Sequence, residues 1–132
     1  MGKKNPMRWD CKIKGCFNKL MRPKLEVFAE CLPRTCQFTD VDGLVEINGK
    51  GLLLEWKHWP MRIPTGQRIA FERLTRGGLL SVICMAGDAA TMEVTHMAFW
   101  FDGKFDNWDL ATLDEAKQEI RKWVAWAERV SV

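Results

Sequence analysis

The sequence predicts an α/β domain, and three segments carry that prediction. Residues 79–86 form a continuous apolar run of strand length, which is typical of a central strand covered on both faces. Two further strands, 38–47 and 51–57, are predicted on either side of a glycine-containing turn. The clearest helix follows Thr112, where Thr112 and Glu115 fit a capping box ahead of an apolar stripe. With 132 residues, 47% of them hydrophobic, the chain suits one core.

Glycine, proline and aspartate set the boundaries of the other predicted elements. A helix is predicted over 17–31, where Pro23 kinks or restarts it, and a second over 65–76, ended by Gly77-Gly78. The apolar strand is predicted to end at Gly87-Asp88, and a further strand over 93–101 is followed by a turn at Asp102-Gly103. Trp126 lies off the stripe of the last helix, where it covers a neighbouring loop or forms a subunit contact. Residues 1–16 are predicted to be a basic arm, and residues 17–132 a single domain.

Charge is unevenly distributed along the chain. Residues 1–76 carry 15 Lys and Arg against 8 Asp and Glu, whereas residues 77–132 carry 5 against 9. A basic half predicts a polyanionic partner, and nucleic acid is the class that this pattern favours. A solvated basic terminus is the alternative. No apolar run is long enough to span a bilayer and no signal peptide is evident, so we expect a cytoplasmic protein without a membrane partner.

Five cysteines are an odd number, and nothing in the sequence suggests secretion, so a disulfide framework is not predicted. Four of them form two Cys-x4-Cys pairs, Cys11 with Cys16 and Cys31 with Cys36. This spacing is looser than that of most zinc sites, which makes a structural Zn²⁺ a minor alternative. Cys84 lies within the apolar strand and is predicted to be a small core residue.

Acidic and basic residues meet at one end of the predicted hairpin. Because strands have a period of two, Glu55 and Lys57 share a face of the second strand, and Asp40, Asp42 and Glu46 share a face of the first. Carboxylate oxygens suit Mg²⁺ or Mn²⁺. Asp42 and Glu55 are the predicted ligands. The carbonyl of Trp56 and the carboxylate of Asp40 are further candidate ligands. The turn is expected to place Glu46 away from the metal site.

Asp42, followed after twelve residues by Glu55-Trp56-Lys57, resembles the signature of the PD-(D/E)xK nuclease superfamily, whose fold is called restriction-endonuclease-like. Val41 stands where that family often has proline. Gln67-Arg-Ile-Ala-Phe71 is similar to the Gln-x-x-x-Tyr helix motif of RecB-like members, with Phe in place of Tyr. The resemblance covers about residues 26–86. Small members include VRR-type nucleases and Holliday-junction resolvases, and the compact length favours a prokaryotic or phage source.

The resemblance implies an αβββαβ-type core with a mixed central sheet and a Mg²⁺- or Mn²⁺-dependent deoxyribonuclease. It implies catalytic roles for Asp42, Glu55, Lys57 and Gln67, and an additional metal ligand from Glu26 or Glu30 on the first helix. DNA is then the expected partner, and a homodimer is expected if the substrate is a junction. The predicted nucleic-acid contacts are basic or aromatic residues near the site entrance, on the helix and in the arm: Lys12, Lys14, His58, Trp59, Arg62, Arg68, Arg73 and Arg76.

Two other functions remain open at this point. One is an inactive protein of the same fold that binds nucleic acid, and the other is a phage-encoded module that binds or inhibits a protein. Steep salt dependence without cleavage would identify the first. Binding to a protein partner without affinity for DNA would identify the second.

Overall fold

The computed structural model describes residues 24–34, 36 and 38–130. The chain divides into two compact units, residues 1–40 and 41–132. In the first unit, a 3₁₀ helix of seven residues spans Leu25–Cys31 and buries none of its side chains. The helix predicted over 17–31 is therefore 3₁₀ over its described part, and residues 17–23 lie outside the described residues. The predicted boundary between residues 16 and 17 also lies outside them.

The second unit is an α/β fold with a mixed six-stranded sheet. Its elements are β1 (Gly43–Ile47), β2 (Lys50–Lys57), α1 (Thr65–Thr75), β3 (Leu80–Asp88), β4 (Glu93–Phe101), β5 (Lys104–Phe105), β6 (Asp109–Leu110) and α2 (Leu113–Arg129). The strand order is β1-β2-β3-β4-β5, and β6 also pairs with β4. Among the strands of the described residues, only the β2–β3 pair is parallel, because α1 connects these two strands as a crossover helix.

Helices cover both faces of the sheet, as the buried run in β3 predicts. On one face, here called the α1 face, Phe71 packs with Val82, Cys84, Ala98 and Trp100. On the opposite α2 face, the core joins strand residues Leu52, Ile83, Met85 and Val94 to helix residues Ala116, Trp123 and Ala127. The period of two sends alternate residues of β3 into these two cores, and all residues from Ser81 to Gly87 are buried.

The hairpin differs from its prediction at both ends. Strand β1 begins at Gly43, not at residue 38, so Asp40 and Asp42 lie outside it. The turn comprises two residues rather than four, Asn48 with φ 54° and Gly49 with φ 84°. Two consecutive positive φ values match the right-handed twist of a tight hairpin. Lys50 therefore becomes the first residue of β2, where it is 2% exposed.

Gly87 does not end the third strand. Strand β3 continues to Asp88, and its register with β4 shifts between Ala86 and Gly87, which marks a bulge. A Cβ atom at Gly87 would lie 1.9 Å from the carbonyl oxygen of Glu93, so only glycine fits this close approach. Gly87-Asp88 was predicted to end the strand, whereas the structure has a bulge at Gly87 and the strand continues to Asp88.

The last helix agrees with its prediction. The hydroxyl of Thr112 accepts from the N–H of Glu115, and the carboxylate of Glu115 accepts from the N–H of Thr112. Trp126 is half-buried and packs on its own sheet, with its ring edge-on to Phe101 at 5.8 Å between centroids. No helix in the described part of the chain combines the length and apolar character needed to cross a bilayer.

Candidate active site

Strand β2 places its two charged residues against helix α1. Leu53 packs with the core of the α1 face, whereas Leu54 and Trp56 pack with the core of the α2 face. Glu55 and Lys57 share the parity of Leu53, so they lie on the α1 face as the sequence predicts. The side chain of each is 14% exposed. Carboxylate and ammonium are thus largely withdrawn from water, which strengthens their mutual attraction.

Gln67, in the first turn of α1, closes a ring with this pair. Its amide nitrogen donates to Oε1 of Glu55 at 2.9 Å, and its amide oxygen accepts from Nζ of Lys57 at 2.9 Å. Nζ of Lys57 also lies 3.2 Å from Oε1 of Glu55. Each polar group is therefore held by the other two, and the three predicted residues meet in one place. Partners of this kind fix the orientation of a charged group before a ligand arrives.

Asp42 lies next to the same segment of β2. It occupies an exposed bend directly before β1, and its Oδ2 accepts from the N–H of Trp56 at 2.7 Å. That N–H belongs to the peptide joining Glu55 to Trp56, so the carboxylate of Asp42 rests against the backbone that carries Glu55. The sequence predicted the proximity of these two acidic residues, but it wrongly placed Asp42 within the strand.

Cys84 forms part of the floor beneath Glu55. The two residues are paired across β2 and β3, and Cys84 is fully buried, as predicted for a core residue. Burial, followed by the nearby negative charge of Glu55, raises the pKa of the Cys84 thiol to about 12. The thiol therefore stays protonated at neutral pH.

The oxygen donors fit a hard divalent cation in type. Asp42 and Glu55 each keep one carboxylate oxygen outside the hydrogen bonds described above. Mg²⁺ is commonly held by one or two protein carboxylates, with water and substrate phosphate supplying the other ligands. Within residues 24–34, 36 and 38–130, no three His, Cys, Asp or Glu side chains are grouped so that they could hold a metal. The described donor set is therefore a pair of carboxylates.

The other predicted carboxylate ligands belong to the first unit. Glu26 and Glu30 are exposed on the 3₁₀ helix, and Asp40 is exposed at the end of this unit. Their roles as ligands, and that of the Trp56 carbonyl, stay predictions. Cys31 and Cys36 are exposed free thiols. The other candidate zinc ligands, Cys11 and Cys16, lie outside the described residues, as do the arm residues Lys12 and Lys14.

The predicted nucleic-acid contacts separate into two groups. His58 and Trp59 directly follow Lys57 and are exposed, and Arg62 and Arg68 line one pocket beside the α1 face. Arg73 and Arg76 lie at the far end of α1, about 9 Å or more along the helix axis from Gln67. Arg76 is paired there with Glu72 at 3.4 Å. Glu46 accepts from the N–H of Gly49 at the turn, away from the candidate site as expected.

Sequence reasoning missed the aromatic side of this pocket. Trp100, Phe105 and Trp108 line it together with the two arginines. Phe105 lies in a two-residue strand, β5, and Trp108 lies directly before the similarly short β6. Strands this short have no periodic pattern to detect. The only available signal was the high density of aromatic residues between 99 and 108.

In comparisons with known proteins, no family model, no curated protein and no solved structure matches this chain. Any functional assignment therefore rests on the residues of the site and their geometry.

Proposed function

We propose that this protein is a metal-dependent deoxyribonuclease with a PD-(D/E)xK-type site on a restriction-endonuclease-like core. The observation that carries the proposal is the ring formed by Glu55, Lys57 and Gln67, with Asp42 bonded to the adjoining peptide. The connectivity supports it in part, because an antiparallel hairpin, a crossover helix and a parallel strand follow one another as in that family. The αβββαβ order predicted from the sequence is not met in full, since two strands rather than three precede α1 in the described part of the chain.

In this proposal Asp42 and Glu55 hold Mg²⁺ or Mn²⁺. A divalent cation supplies a water of lowered pKa and neutralises charge on the phosphate oxygens. Lys57 donates hydrogen bonds towards the attacking water or the phosphate, whose negative charge grows in the transition state. Gln67 keeps the ammonium of Lys57 next to Glu55. Attack of water on phosphorus in line with the leaving oxygen would form one P–O bond and break one P–O ester bond of DNA, and the proton lost by the water would pass through solvent to the leaving oxygen.

Cleavage assays with matched variants test this function. Linear, nicked, branched and single-stranded DNA would be incubated with Mg²⁺, with Mn²⁺ and with a chelator. We expect metal-dependent cleavage of at least one form, lost in Glu55→Gln and in Lys57→Ala. The controls are Glu119→Gln and Lys122→Ala, which alter an exposed Glu–Lys pair at 3.0 Å on α2. The proposal is wrong if no form is cut, or if the site variants cut as well as the controls.

The same assay distinguishes a nucleic-acid-binding protein that lacks catalysis. Such a protein would retain DNA affinity, with a steep dependence on salt, in the absence of any metal-dependent product. The exposed side chains of Arg62 and Arg68 support binding in either case. A module that binds only another protein would show neither property.

A further inference from the structure

A pocket of about 260 Å³ lies beside β4 in the second unit. Three aromatic side chains and two aliphatic ones form its wall, and its rim carries two cations and a side-chain amide. The residues that line it are Met61, Arg62, Ile63, Arg68, Trp100, Phe105, Asn107 and Trp108. The nuclease mechanism proposed above uses none of its aromatic residues, so the pocket needs a separate explanation.

Ring packing and one hydrogen bond fix the aromatic side chains of this pocket. The ring of Trp100 is 3% exposed and lies 4.9 Å from the ring of Phe105, at an interplanar angle of 31°. The indole of Trp108 is fixed by a hydrogen bond from its Nε1 to the carbonyl oxygen of Met61 at 2.9 Å. Rigid aromatic walls favour a flat ring that stacks or packs edge-on.

The pocket also carries a polar group that a ligand can reach. Asn107 lines it with an exposed amide that both donates and accepts hydrogen bonds. The edge of a nucleobase has nitrogen and oxygen atoms that pair with such an amide, whereas a hydrocarbon ring offers it no hydrogen-bond partner. This amide favours a nucleobase over a purely apolar ring.

The rim favours a phosphate. Arg62 and Arg68 are both exposed, and across the described part of the chain neither forms an ion pair with a carboxylate. Arg76, directly after the helix that carries Arg68, is by contrast paired with Glu72. A guanidinium without an internal partner is available to bind a phosphate through two parallel hydrogen bonds.

The pocket lies within reach of the candidate active site. Arg68 directly follows Gln67, and Trp100 pairs across the sheet with Val82, which pairs with Leu53, two residues before Glu55. Two strand spacings and two residues along a strand place the Cα atoms of Glu55 and Trp100 about 12 Å apart. Both groups belong to the α1 face. A strand cleaved at Glu55 therefore has a neighbouring nucleotide at the pocket.

We propose that this pocket binds one unpaired nucleotide of the substrate strand. The base lies against Phe105 and Trp108, beside the buried ring of Trp100, and its phosphate is bound by Arg62 and Arg68. Bases in a duplex are stacked on both faces, so only a single-stranded, frayed or distorted segment can present a ring face to these walls. This inference rests on the proposed nuclease function and names its substrate class, namely DNA that is unpaired beside the cleaved bond.

Binding measured without catalysis tests the pocket separately from the active site. Fluorescein-labelled strands of twelve thymidines, and strands of twelve abasic residues with the same number of phosphates, would be titrated by anisotropy in chelator at constant salt. We expect the abasic strand to bind roughly 5- to 150-fold more weakly, the factor that corresponds to stacking of one base. A duplex of equal length should also bind more weakly than the thymidine strand.

Variants assign the two parts of the nucleotide. Trp108→Ala should abolish most of the difference between the thymidine and abasic strands, and Phe105→Leu serves the same purpose if Trp108→Ala fails to fold by circular dichroism. Combined Arg62→Ala and Arg68→Ala should weaken both strands by a similar factor. The matched control combines Arg121→Ala and Arg129→Ala, two exposed arginines of α2.

Two results would overturn the inference: equal affinity for the thymidine and abasic strands, or an arginine pair variant at the pocket that behaves like its control. A protein that cleaves DNA with metal but shows either result retains the proposed function and loses the pocket. A protein that discriminates the strands but cleaves nothing retains the nucleotide pocket and loses the nuclease.

Discussion

Gln67 is the residue that joins helix α1 to the charged end of strand β2. Its amide bonds to Glu55 and Lys57 simultaneously, because an uncharged amide carries its donor and its acceptor on two separate atoms. Because Gln67 acts by holding two other groups, it is a positioning residue. Its loss should disturb the reaction without removing any atom that reacts.

We therefore expect Gln67→Ala to lower the turnover of metal-dependent cleavage by about 10- to 100-fold, the range found when a supporting partner of a metal site is removed. The measurement is steady-state cleavage with separate values for kcat and KM, and the decrease should lie mainly in kcat. Gln118→Ala, an exposed glutamine of α2, is the matched control. An effect confined to KM would assign Gln67 to substrate binding instead.

Asp106 is a single residue that affects the stability of the fold rather than the proposed function. Its Oδ1 accepts from the N–H of Phe99 at 2.6 Å, yet burial raises the pKa of its carboxyl, and the charges of Asp109 and Glu119 act in the same direction. A pKa raised on folding means that the native state binds the proton more tightly than the unfolded state. The resulting stability is fully present in acid and is lost as the pH rises through the folded pKa.

Asp106→Asn should consequently raise the melting temperature at pH 7, because it retains an acceptor for Phe99 and removes a charge that partial burial disfavours. The gain should disappear below the ordinary aspartate pKa of 3.8, where the wild-type carboxyl is protonated as well. Thermal unfolding followed by circular dichroism at pH 7 and pH 3 provides the comparison. Asp88→Asn is the control, since Asp88 accepts a backbone N–H from Ala90 at 2.9 Å on an exposed turn. A gain of equal size at both pH values would contradict this account.

At the scale of elements, the hairpin turn binds the end of helix α2. The ammonium of Lys50 donates to the carbonyl oxygens of Ala127 and Val130, and the amide of Asn48 donates to the same two oxygens. The ammonium also lies 5.4 Å from the ring centroid of Trp126. The last carbonyls of a helix lack internal partners and carry partial negative charge, so a buried cation there stabilises the helix end.

Replacing this cation should have a large effect for a lysine. We expect Lys50→Met to lower the free energy of unfolding by about 1.5–3 kcal/mol, the cost of losing hydrogen bonds from a charged group. Lys122→Met, which removes an exposed lysine on α2, should cost about 1 kcal/mol or less. Urea denaturation of both variants gives the comparison, and similar losses would show that the Lys50 contacts contribute little.

The sequence predicted elements best where a strong local signal and the tertiary structure agree. The capping box of Thr112, the glycines after α1 and the bounds of β4 were all correct, because each depends on residues that are near one another in the chain. Lys50 was predicted as part of a turn and is instead buried, because its partners lie 77 to 80 residues away. The proximity of Glu55, Lys57 and Gln67 was predicted through a family motif, whereas the pocket around Trp100 depends on pairing across β3, β4 and β5, which the sequence does not display.

At the scale of the whole molecule, the two faces of the sheet are sealed by different helices. Cys84 lies at the centre of this arrangement, with no exposed surface and a thiol pKa of about 12. A reagent reaches it only when the sheet and α1 separate. Cys31 and Cys36, in contrast, are exposed in the first unit.

We expect a thiol-specific alkylating reagent at pH 8 to modify Cys31 and Cys36 rapidly in the native protein and Cys84 only at the rate of global opening. Peptide mass spectrometry distinguishes the sites. In denaturant, all three should react at similar rates, which controls for the intrinsic reactivity of each thiol. Fast labelling of Cys84 under native conditions would show that α1 detaches without global unfolding.

The contact between Lys50 and the end of α2 also has a consequence for biosynthesis. Translation delivers the acceptors of this ammonium 77 to 80 residues after Lys50 itself, which corresponds to roughly 4 to 16 seconds at ordinary rates of elongation. Throughout that interval the ammonium must remain hydrated, because burying it without acceptors is costly. In the nascent chain, the edge of the sheet at Lys50 therefore stays exposed to water. The second unit reaches its final packing only after the ribosome has passed residue 130.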